Sequence, residues 1–260
     1  MNRVFGALVG LALFAPVPAE AAPKAPTSKP PASKATTAKK APTRSAAPKA
    51  RAKAPAPQER ARSAAAARVI DWVASSQDNR ALPYVVIDKT AAVAFLFDAK
   101  GTYIADAPVL IGIALGDDAT PGIGSKNLAE IGPAEKTTPA GRFLAKFGLA
   151  AGRQKVLWVD YATSVALHPI PTGNPKEKRR DRILSATPDD NRITFGCINV
   201  PLAFYNKAVS PLFQKKGGYV YILPDTKSLE AAFPPLHAFP GRAFADTALQ
   251  DATAPTEPTL

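Results

Sequence analysis

The apolar residues of this chain follow two different spacings. Between residues 60 and 77 an alanine run leads into an apolar stripe at 69–73, which is typical of an amphipathic helix, and Pro83 ends it. From Tyr84 onward, short runs of β-branched and aromatic residues alternate with turn residues, and this spacing predicts strands. The change divides the chain into a packing helix at 67–79 and a strand-rich domain at 80–225.

The strand-rich part predicts a mainly β fold with a minor α component. A turn at 98–101 returns the chain within a hairpin that spans 92–113. Strands are predicted at 85–88, 93–97, from 102 onward, and at 141–149, 154–161, 164–168 and 219–223, and short helices at 175–186 and 201–213. The segment 115–139 is rich in Gly and Pro and predicts a long loop, and loops of this length in compact domains are usually functional or disordered.

Both ends of the chain lack the pattern of a packed domain. Residues 1–21 resemble a secretory signal peptide, with a basic start at Arg3, a short apolar stretch and an A-x-A cleavage site. We expect 22–66 to be a disordered linker, because alanine, proline and lysine leave almost nothing to bury. We expect 226–260 to be an irregular tail. The apolar stretch is short for a bilayer, and no other segment is long and apolar enough, so no transmembrane span is expected after signal cleavage. The alternative for 1–21 is an uncleaved anchor.

The positive charge is concentrated in the predicted linker. The chain carries a formal net charge of +12, and 22–66 holds eleven Lys and Arg against one Glu. The residues from 67 onward are near neutral, with 21 basic and 19 acidic side chains. Such a basic run can bind nucleic acid, but export makes anionic polymers of the cell envelope the expected partner. The alternative is a solvated tether without a partner.

Cys197 is the only thiol of the chain. One Cys and two His exclude an intrachain disulfide and a Cys/His zinc site, and we expect neither a metal nor a cofactor. Cys197 follows Gly196 and precedes a helix that starts at Pro201. This pattern predicts a thiol pKa lowered by the helix dipole, and backbone amides that can hold an oxyanion. The alternative is a buried cysteine without reactivity.

A nucleophilic cysteine needs a base, and the chain offers two histidines. His168 ends the apolar strand at 164–168, where it can face a neighbouring turn, and it is the expected base. His237 lies in a weakly patterned segment and is the less favoured alternative. The sequence contains no motif of a serine hydrolase, a zinc protease or a P-loop protein.

The segment Thr194–Asn199, T-F-G-C-I-N, resembles the signature of the L,D-transpeptidase (YkuD-like) catalytic domain. In that signature an upstream His precedes Ser/Thr-His-Gly-Cys, a hydrophobic residue and Asn. The turn at 138–143, T-P-A-G-R-F, and the opening strands and hairpin at 85–101 are similar to further parts of the family. The resemblance extends over about 84–224 and implies a mixed β-sandwich with one or two helices.

The resemblance also implies roles for individual residues. Cys197 would be the nucleophile and His168 the general base, while Thr194, Gly196 and Asn199 would shape the nucleophile and oxyanion turn. The implied reaction is acyl transfer on peptidoglycan stem peptides: a thioester forms, D-alanine leaves, and the amine of another stem completes a cross-link. The implied location is the periplasm or cell envelope.

Two features depart from the family pattern. Phe195 stands where the family usually has His, and the 25 residues between His168 and Thr194 form a longer spacer than usual. The excess corresponds to the basic segment 175–186, which suggests a lid or an altered substrate groove. We expect Arg180, together with Arg192, to contact stem-peptide carboxylates, and the same contact is open to Lys176, Lys178, Arg179 and Arg182. The alternative for this segment is a solvated helix face. Two alternatives stay open: a hydrolase on the same scaffold (carboxypeptidase or amidase), and a non-catalytic peptidoglycan-binding module.

Overall fold

The structure, a computed structural model, describes residues 59–150 and 153–239. The predicted signal peptide at 1–21, most of the predicted linker and the last part of the predicted tail lie outside the described residues. The predictions made for these segments therefore stay predictions.

One large β-sheet with a few helices forms the ordered framework, which confirms the prediction of a mainly β fold with a minor α component. The strands are β1 (Tyr84–Asp88), β2 (Val93–Phe97), β3 (Tyr103–Pro108), β4 (Ile111–Gly112), β5 (Gly141–Leu149), β6 (Lys155–Asp160), β7 (Val165–Pro169), β8 (Arg192–Thr194), β9 (Ile198–Val200) and β10 (Gly218–Ile222). The α-helices are α1 (Ala64–Ser76), α2 (Arg179–Arg182), α3 (Leu202–Phe204), α4 (Ser210–Phe213) and α5 (Leu229–Ala232), and a π-helical turn, Tyr205–Val209, joins α3 to α4. In the described ranges, no helix has the length and apolarity needed to cross a membrane.

Eight strands form one mixed sheet in the order β3-β2-β1-β10-β5-β6-β7-β9. The pairs β1–β10 and β7–β9 are parallel, and the other neighbours are antiparallel. A separate parallel pair joins β4 to β8. Since parallel neighbours cannot be joined by a hairpin, β7 and β9 are linked by a long crossover, which carries the basic segment 175–186.

Two apolar clusters hold the sheet together. The first takes alternate residues of most strands, among them Leu167 of β7 and Ile198 of β9, and packs them against the α3–α4 helix. The second lies on the other face of β1, β2 and β10, where Val69 and Trp72 of α1 cover it. These three strands are buried along their whole length, which explains their unbroken apolar runs.

Helix α1 begins at Ala64, inside the segment predicted to be linker, so that boundary needs correction. Ser63 is the physical reason, because its Oγ accepts a hydrogen bond from the Ala66 amide at 3.0 Å and so caps the helix. Arg60 forms an ion pair with Asp106 of β3. Residues 59–66 are therefore part of the folded domain.

The segment after β10 also belongs to the domain, which corrects the predicted tail for 226–239. Helix α5 and the 3-10 helix Pro234–Ala238 pack against α1. Phe233 and Leu236 are 2% and 0% exposed, and the Phe233 ring centroid lies 6.1 Å from that of Trp72. These two side chains cover an apolar surface that the strand pattern does not reveal.

The helix predicted at 175–186 is reduced to a 3-10 turn, Pro175–Glu177, and the four-residue α2. Lys178 separates the two with a φ of +48°, a left-handed conformation that interrupts a right-handed helix. The Arg182 side chain then donates to the carbonyls of Glu177 and Asp190, each at 2.9 Å. Hydrogen bonds between residues of the crossover therefore hold its two short helical segments together.

Candidate active site

The turn that carries Cys197 is built by two threonine hydroxyls. Thr194 Oγ1 accepts a hydrogen bond from the Gly196 amide at 3.1 Å and donates to the Cys197 carbonyl at 2.7 Å. Thr138 Oγ1 donates to the Gly196 carbonyl at 2.8 Å and accepts from the Gly112 amide at 2.8 Å. The Gly196 amide is thus already bonded, so Thr194 and Gly196 shape the turn, and this amide is not a free oxyanion donor.

Gly196 is required by the backbone of this turn. Its φ of +123° is one that residues with a side chain rarely adopt, and an added Cβ would lie 2.6 Å from the Thr137 carbonyl oxygen. The turn at 138–143 that the sequence singled out therefore contacts the turn that carries Cys197 directly, through Thr138 and its neighbour Thr137.

A buried ionic cluster lies behind Thr138. The Lys89 ammonium is completely buried and donates to Asp117 Oδ1 at 2.9 Å and to the Thr138 carbonyl at 3.0 Å. It also lies 3.1 Å from Asp225 Oδ2. Burial opposes ionisation of Asp117, but hydrogen bonds from backbone amides and from Lys89 outweigh it and hold the pKa of Asp117 below its usual range. The cluster fixes the loop 115–139 against the segment after β10.

The Cys197 thiol is half-buried, and its Sγ lies 3.6 Å from the carbonyl oxygen of Ser164, just before β7. Burial raises the thiol pKa, against the opposing effects of the Ala166 amide and the Arg179 charge. The predicted lowering of this pKa needs correction. Strand β9 separates Cys197 from the helix after Pro201, so the helix dipole does not act on the sulfur.

His168 lies on β7 in register with Asn199 of β9. One ring nitrogen, Nδ1, is 2.8 Å from the Pro169 carbonyl oxygen, and the other, Nε2, is 3.2 Å from Asn199 Nδ2. Burial lowers the pKa of His168, and the charge of Arg179 adds to this effect, whereas the Pro169 carbonyl opposes it. The imidazole is therefore held in its neutral form near neutral pH.

The structure places the predicted base on β7 and the predicted nucleophile directly before β9, the neighbouring strand. The Cys197 sulfur lies against Ser164, just before β7, and Ala166 of β7; His168 follows Ala166 by two residues, a step of about 7 Å along one face of a strand. No hydrogen bond joins Cys197 to His168 among the described residues. The two groups are neighbours that need a side-chain movement to meet.

Asn199 is fully buried and joins His168 to Arg179 of the basic segment, a contact that the sequence did not predict. Its Oδ1 accepts a hydrogen bond from Arg179 Nη1 at 2.6 Å, and Arg179 also forms an ion pair with Glu177. Nothing in the sequence distinguishes Arg179 from Arg180 within the basic segment. In the structure the Arg179 side chain is only 12% exposed, whereas Arg180 is exposed.

The two arginines predicted to bind substrate have different surroundings. Arg180 is exposed and lines a cleft of about 650 Å³ between the loop after β7 and α2, together with Leu184 and Leu202. Arg192 forms an ion pair with Asp225 at 2.6 Å, and its side chain is only 17% exposed. Arg180 remains a candidate contact for substrate, whereas Arg192 is committed to the ionic cluster around Lys89.

Two further sequence features lie outside the contacts of the thiol. Phe195, at the position where the family usually has His, is 38% exposed, and the Lys136 ammonium lies 3.8 Å from its ring centroid. His237 is exposed on the segment that packs against α1, so it does not compete with His168 as the base. The described residues contain no group of three His, Cys, Asp or Glu that could hold a metal ion.

Three solved structures illustrate what this chain is similar to. The catalytic domain of the E. faecium L,D-transpeptidase is 14% identical over 54% of this chain and 95% of its own, with a TM-score of 0.34. The L,D-transpeptidase of Xylanimonas cellulosilytica is 13% identical over 54% of this chain and 60% of its own, with a TM-score of 0.32. The helical cell shape determining protein Pgp2 of Campylobacter jejuni is 15% identical over 61% of this chain and 56% of its own, with a TM-score of 0.36.

No family model matches the sequence, and no curated protein matches it. The first two solved structures bear the name of the family that the segment Thr194–Asn199 resembles. With identities of 13–15%, these likenesses leave the chemistry of Cys197 to be argued from the residues of this chain.

Proposed function

We propose that this chain is a cysteine-dependent acyltransferase, a peptidoglycan L,D-transpeptidase that acts on stem peptides through a thioester. The observation that carries the proposal is the built turn that presents Cys197, the only thiol, against the strand of His168. The resemblance of Thr194–Asn199 to the family signature supplies the substrate class. The export signal expected at 1–21 would bring the enzyme to the periplasm, where its substrate lies.

The proposed reaction transfers one acyl group in two steps. The thiol proton of Cys197 passes to His168 as the sulfur attacks the carbonyl carbon of the third stem residue, a diamino acid. The bond from that carbon to the nitrogen of D-alanine then breaks, and His168 returns the proton to the departing amine. The amine of a second stem attacks the remaining thioester and forms an amide, which restores the thiol. Attack by water would give a shortened stem, the carboxypeptidase alternative.

Both reacting groups start uncharged in this proposal. Burial raises the pKa of Cys197 and lowers that of His168, so a thiolate–imidazolium pair is not the resting state near neutral pH. The proton therefore moves during the attack. To receive it, His168 Nε2 exchanges the Asn199 amide for the thiol, which is a movement within one face of the β7–β9 pair.

The second candidate function is a non-catalytic peptidoglycan-binding module. A specific observation favours it: both ring nitrogens of His168 have protein partners, Pro169 and Asn199, and neither partner is Cys197. In this reading the imidazole is a structural link between two parallel strands. The cleft beside Arg180 would then be the binding surface.

Reaction with a carbapenem separates the two candidates. A carbapenem acylates a reactive thiol, and intact-protein mass spectrometry detects the adduct. We expect one adduct on the reduced protein, none on Cys197→Ala, and a strongly slowed reaction on His168→Gln. A folded and reduced protein that gains no mass would support the binding module and contradict the enzyme.

Soluble tetrapeptide muropeptides then distinguish transfer from hydrolysis. Incubation with the protein, followed by chromatography and mass spectrometry, should give D-alanine and a cross-linked dimer. Production of tripeptide without a dimer would replace the transferase by a carboxypeptidase. Cys197→Ala is the control for contaminating activity, because it removes only the sulfur.

The basic residues of 22–66 are proposed to contact anionic polymers of the envelope. Nine of the eleven Lys and Arg in this stretch lie at 22–58, before the folded domain, and can bind such polymers at low ionic strength, with an affinity that salt weakens. Cosedimentation with intact cell-wall sacculi at low and high salt tests this. Binding that is independent of salt, or equal binding by a protein without 22–58, would contradict it.

A further inference from the structure

Lys136 brings a positive charge to the edge of the turn that carries Cys197. Its side chain is half-buried, and its ammonium lies 3.8 Å from the centroid of the Phe195 ring, two residues before Cys197. Within 59–150 and 153–239, no carboxylate lies at ion-pair distance from this ammonium. Arg179 and Arg192, by contrast, both have a carboxylate partner.

The backbone of Lys136 is fixed on both sides. Its carbonyl accepts a hydrogen bond from the Ala114 amide at 3.1 Å, and its amide donates to the Pro133 carbonyl at 3.3 Å. The two threonines that follow it contact Gly196 of the turn that carries Cys197. The base of the Lys136 side chain is therefore held at one place beside this turn.

The Phe195 ring gives the ammonium a defined position. Phe195 stands between Thr194 and Gly196, which are both buried and joined by a hydrogen bond, so its backbone is part of the built turn. A cation is attracted to the face of an aromatic ring, and 3.8 Å is a direct contact. An ammonium has three N–H donors and no acceptor, so the contact with the ring leaves donors available for an anion.

We propose that Lys136, held on the Phe195 ring, binds a carboxylate of the donor stem peptide and so helps to determine its specificity. The inference deepens the proposed function and rests on it for the identity of the substrate. An ammonium and a carboxylate form charge-assisted hydrogen bonds. Because the ring already positions the side chain, less conformational freedom is lost when the carboxylate binds.

The place of Phe195 in the chain sets the distance over which Lys136 acts. Two residues span at most about 7 Å of backbone, so the contact lies about one peptide residue from Cys197. The donor offers a carboxylate on the D-alanine that leaves, one residue beyond the attacked carbonyl, and further carboxylates on the part that forms the thioester. The charge that acts on the pKa of Cys197 is that of Arg179, so Lys136 is assigned to recognition and not to proton transfer.

Binding to a protein without the thiol tests the inference without turnover. Full-length Cys197→Ala is titrated with a tetrapeptide stem by isothermal calorimetry, with and without the further change Lys136→Met. We expect Lys136→Met to raise the dissociation constant about tenfold, as the loss of a hydrogen bond to a charged group does. Lys136→Arg should restore most of the affinity. Lys100→Met is the matched control, since it removes one charge from an exposed turn and should not change binding.

Two amidated tetrapeptides identify the carboxylate. One ends in D-alaninamide, and the other has amides in place of the carboxylates on the part that forms the thioester. The peptide that lacks the carboxylate bound by Lys136 should bind equally to the proteins with Lys and with Met at this position, and the other peptide should keep the difference between them. Either assignment supports the inference. A difference that persists with both peptides would overturn it.

Phe195→Leu tests the contribution of the ring. Leucine keeps an apolar side chain but has no aromatic face, so we expect a several-fold weakening for the same carboxylate-bearing peptides. Phe195→Tyr keeps the ring and should bind as its parent does. Unchanged binding by Phe195→Leu would overturn the role given to the ring.

Two further results would overturn the inference: an equal dissociation constant for folded Lys136→Met and its parent, or no binding of the tetrapeptide at millimolar concentration. Circular dichroism establishes that each variant is folded. If Lys136→Met does not fold, Lys136→Gln answers the same question, because its side chain is polar but carries no charge.

Failure of the inference and failure of the proposed function give different results. The dissociation constants are measured without the sulfur, whereas the carbapenem adduct reports on Cys197. The expected loss of binding in Lys136→Met without an adduct would leave the role of Lys136 intact and replace the enzyme by the binding module. An adduct together with unchanged binding in Lys136→Met would leave the enzyme and remove the inference.

Discussion

Gly196 is a residue at which a side chain is excluded by two separate constraints. An added Cβ would meet the Thr137 oxygen at 2.6 Å, and the φ of +123° disfavours any L side chain. We expect Gly196→Ala to lower the free energy of unfolding by about 2 kcal/mol or more, since steric overlap and backbone strain add. Urea unfolding followed by circular dichroism measures the change.

Gly173→Ala is the matched control for this substitution. Nothing lies within 4 Å of a Cβ added at Gly173, and its φ is outside the left-handed region. We expect this variant to be as stable as the wild type or slightly more stable, because alanine restricts the unfolded chain. Equal losses in the two variants would contradict the account of the nucleophile turn.

The Cys197 thiol should lose its proton only at a pH above the ordinary range for a cysteine. Burial raises its pKa above the ordinary value of 9.0, so the rate of alkylation by iodoacetamide should reach its midpoint above that pH. The midpoint is the quantity to compare, since partial burial slows the reagent at every pH. A midpoint near or below neutrality would contradict the neutral resting pair.

The raised pKa of Cys197 also makes the stability of the protein depend on pH. Because its pKa is raised on folding, the thiol stabilises the folded state below its ordinary pKa, and this contribution is lost as the pH rises through the folded value.

His168 should make the protein sensitive to acid. Its folded pKa lies below the ordinary value of 6.5, so its contribution is present above pH 6.5 and is lost as the pH falls through the folded value. Each unit of depression corresponds to about 1.4 kcal/mol. We expect wild type to lose more unfolding free energy than His168→Gln between neutral pH and about pH 5, as measured by urea unfolding.

At the scale of elements, the regular strands could be predicted from sequence because their apolar runs follow directly from burial. The runs at 85–88, 93–97 and 141–149 lie within one residue of β1, β2 and β5. The short strands β8 and β9 could not be predicted in the same way. They have three residues each and exist because β4 and β7 offer backbone partners from distant parts of the chain.

The helices at 175–186 and after β10 could not be predicted from local sequence either. The segment 175–186 has the composition of a helix, but the left-handed Lys178 divides it. The C-terminal segment has no periodic pattern, and it is ordered because Phe233 and Leu236 fill the space beside Trp72. Packing, rather than local preference, decides both cases.

Phe233 tests the role of the C-terminal segment. We expect Phe233→Ala to lower the free energy of unfolding by about 3–5 kcal/mol, the usual cost of truncating a buried phenylalanine. Leu128→Ala is the control, since Leu128 is 69% exposed and should change stability little. If Phe233→Ala were as stable as this control, residues 226–239 would not contribute to the folded domain, and the prediction of an irregular tail would stand.

At the scale of the whole molecule, the start of the folded domain can be located by truncation. We expect a protein that begins at Glu59 to match the full-length chain in unfolding free energy. A protein that begins at Arg68 loses the Ser63 cap, worth about 1 kcal/mol, together with the Arg60–Asp106 ion pair and the first turn of α1.

Urea unfolding of the two truncated proteins measures the difference. Equal stability of both would place the domain boundary within α1 and restore the predicted linker to its full length.

At this scale the members of the candidate site can be proposed from the sequence, but the contacts around them cannot. A lone cysteine, two histidines and the segment Thr194–Asn199 single out Cys197 and His168 as candidates, and their catalytic roles stay predictions. The residues around the site could not be predicted, because distant parts of the chain bring them there. The crossover carries Arg179, the loop 115–139 carries Thr138, and the β7–β9 pairing places the Ser164 carbonyl beside the sulfur. The direction of the Cys197 pKa shift was missed for the same reason.

Because β7 pairs with β9, changes in the crossover between them do not have to change the spacing of Cys197 and His168. The spacing between His168 and the strand after Cys197 is fixed by backbone hydrogen bonds of the sheet, and not by the length of the crossover. Residues 170–191 can therefore be lengthened, shortened or exchanged while Cys197 and His168 keep their places, as long as a donor still reaches Asn199. A library of grafted crossovers would thus vary the surface beside the candidate site while leaving Cys197 and His168 where they are.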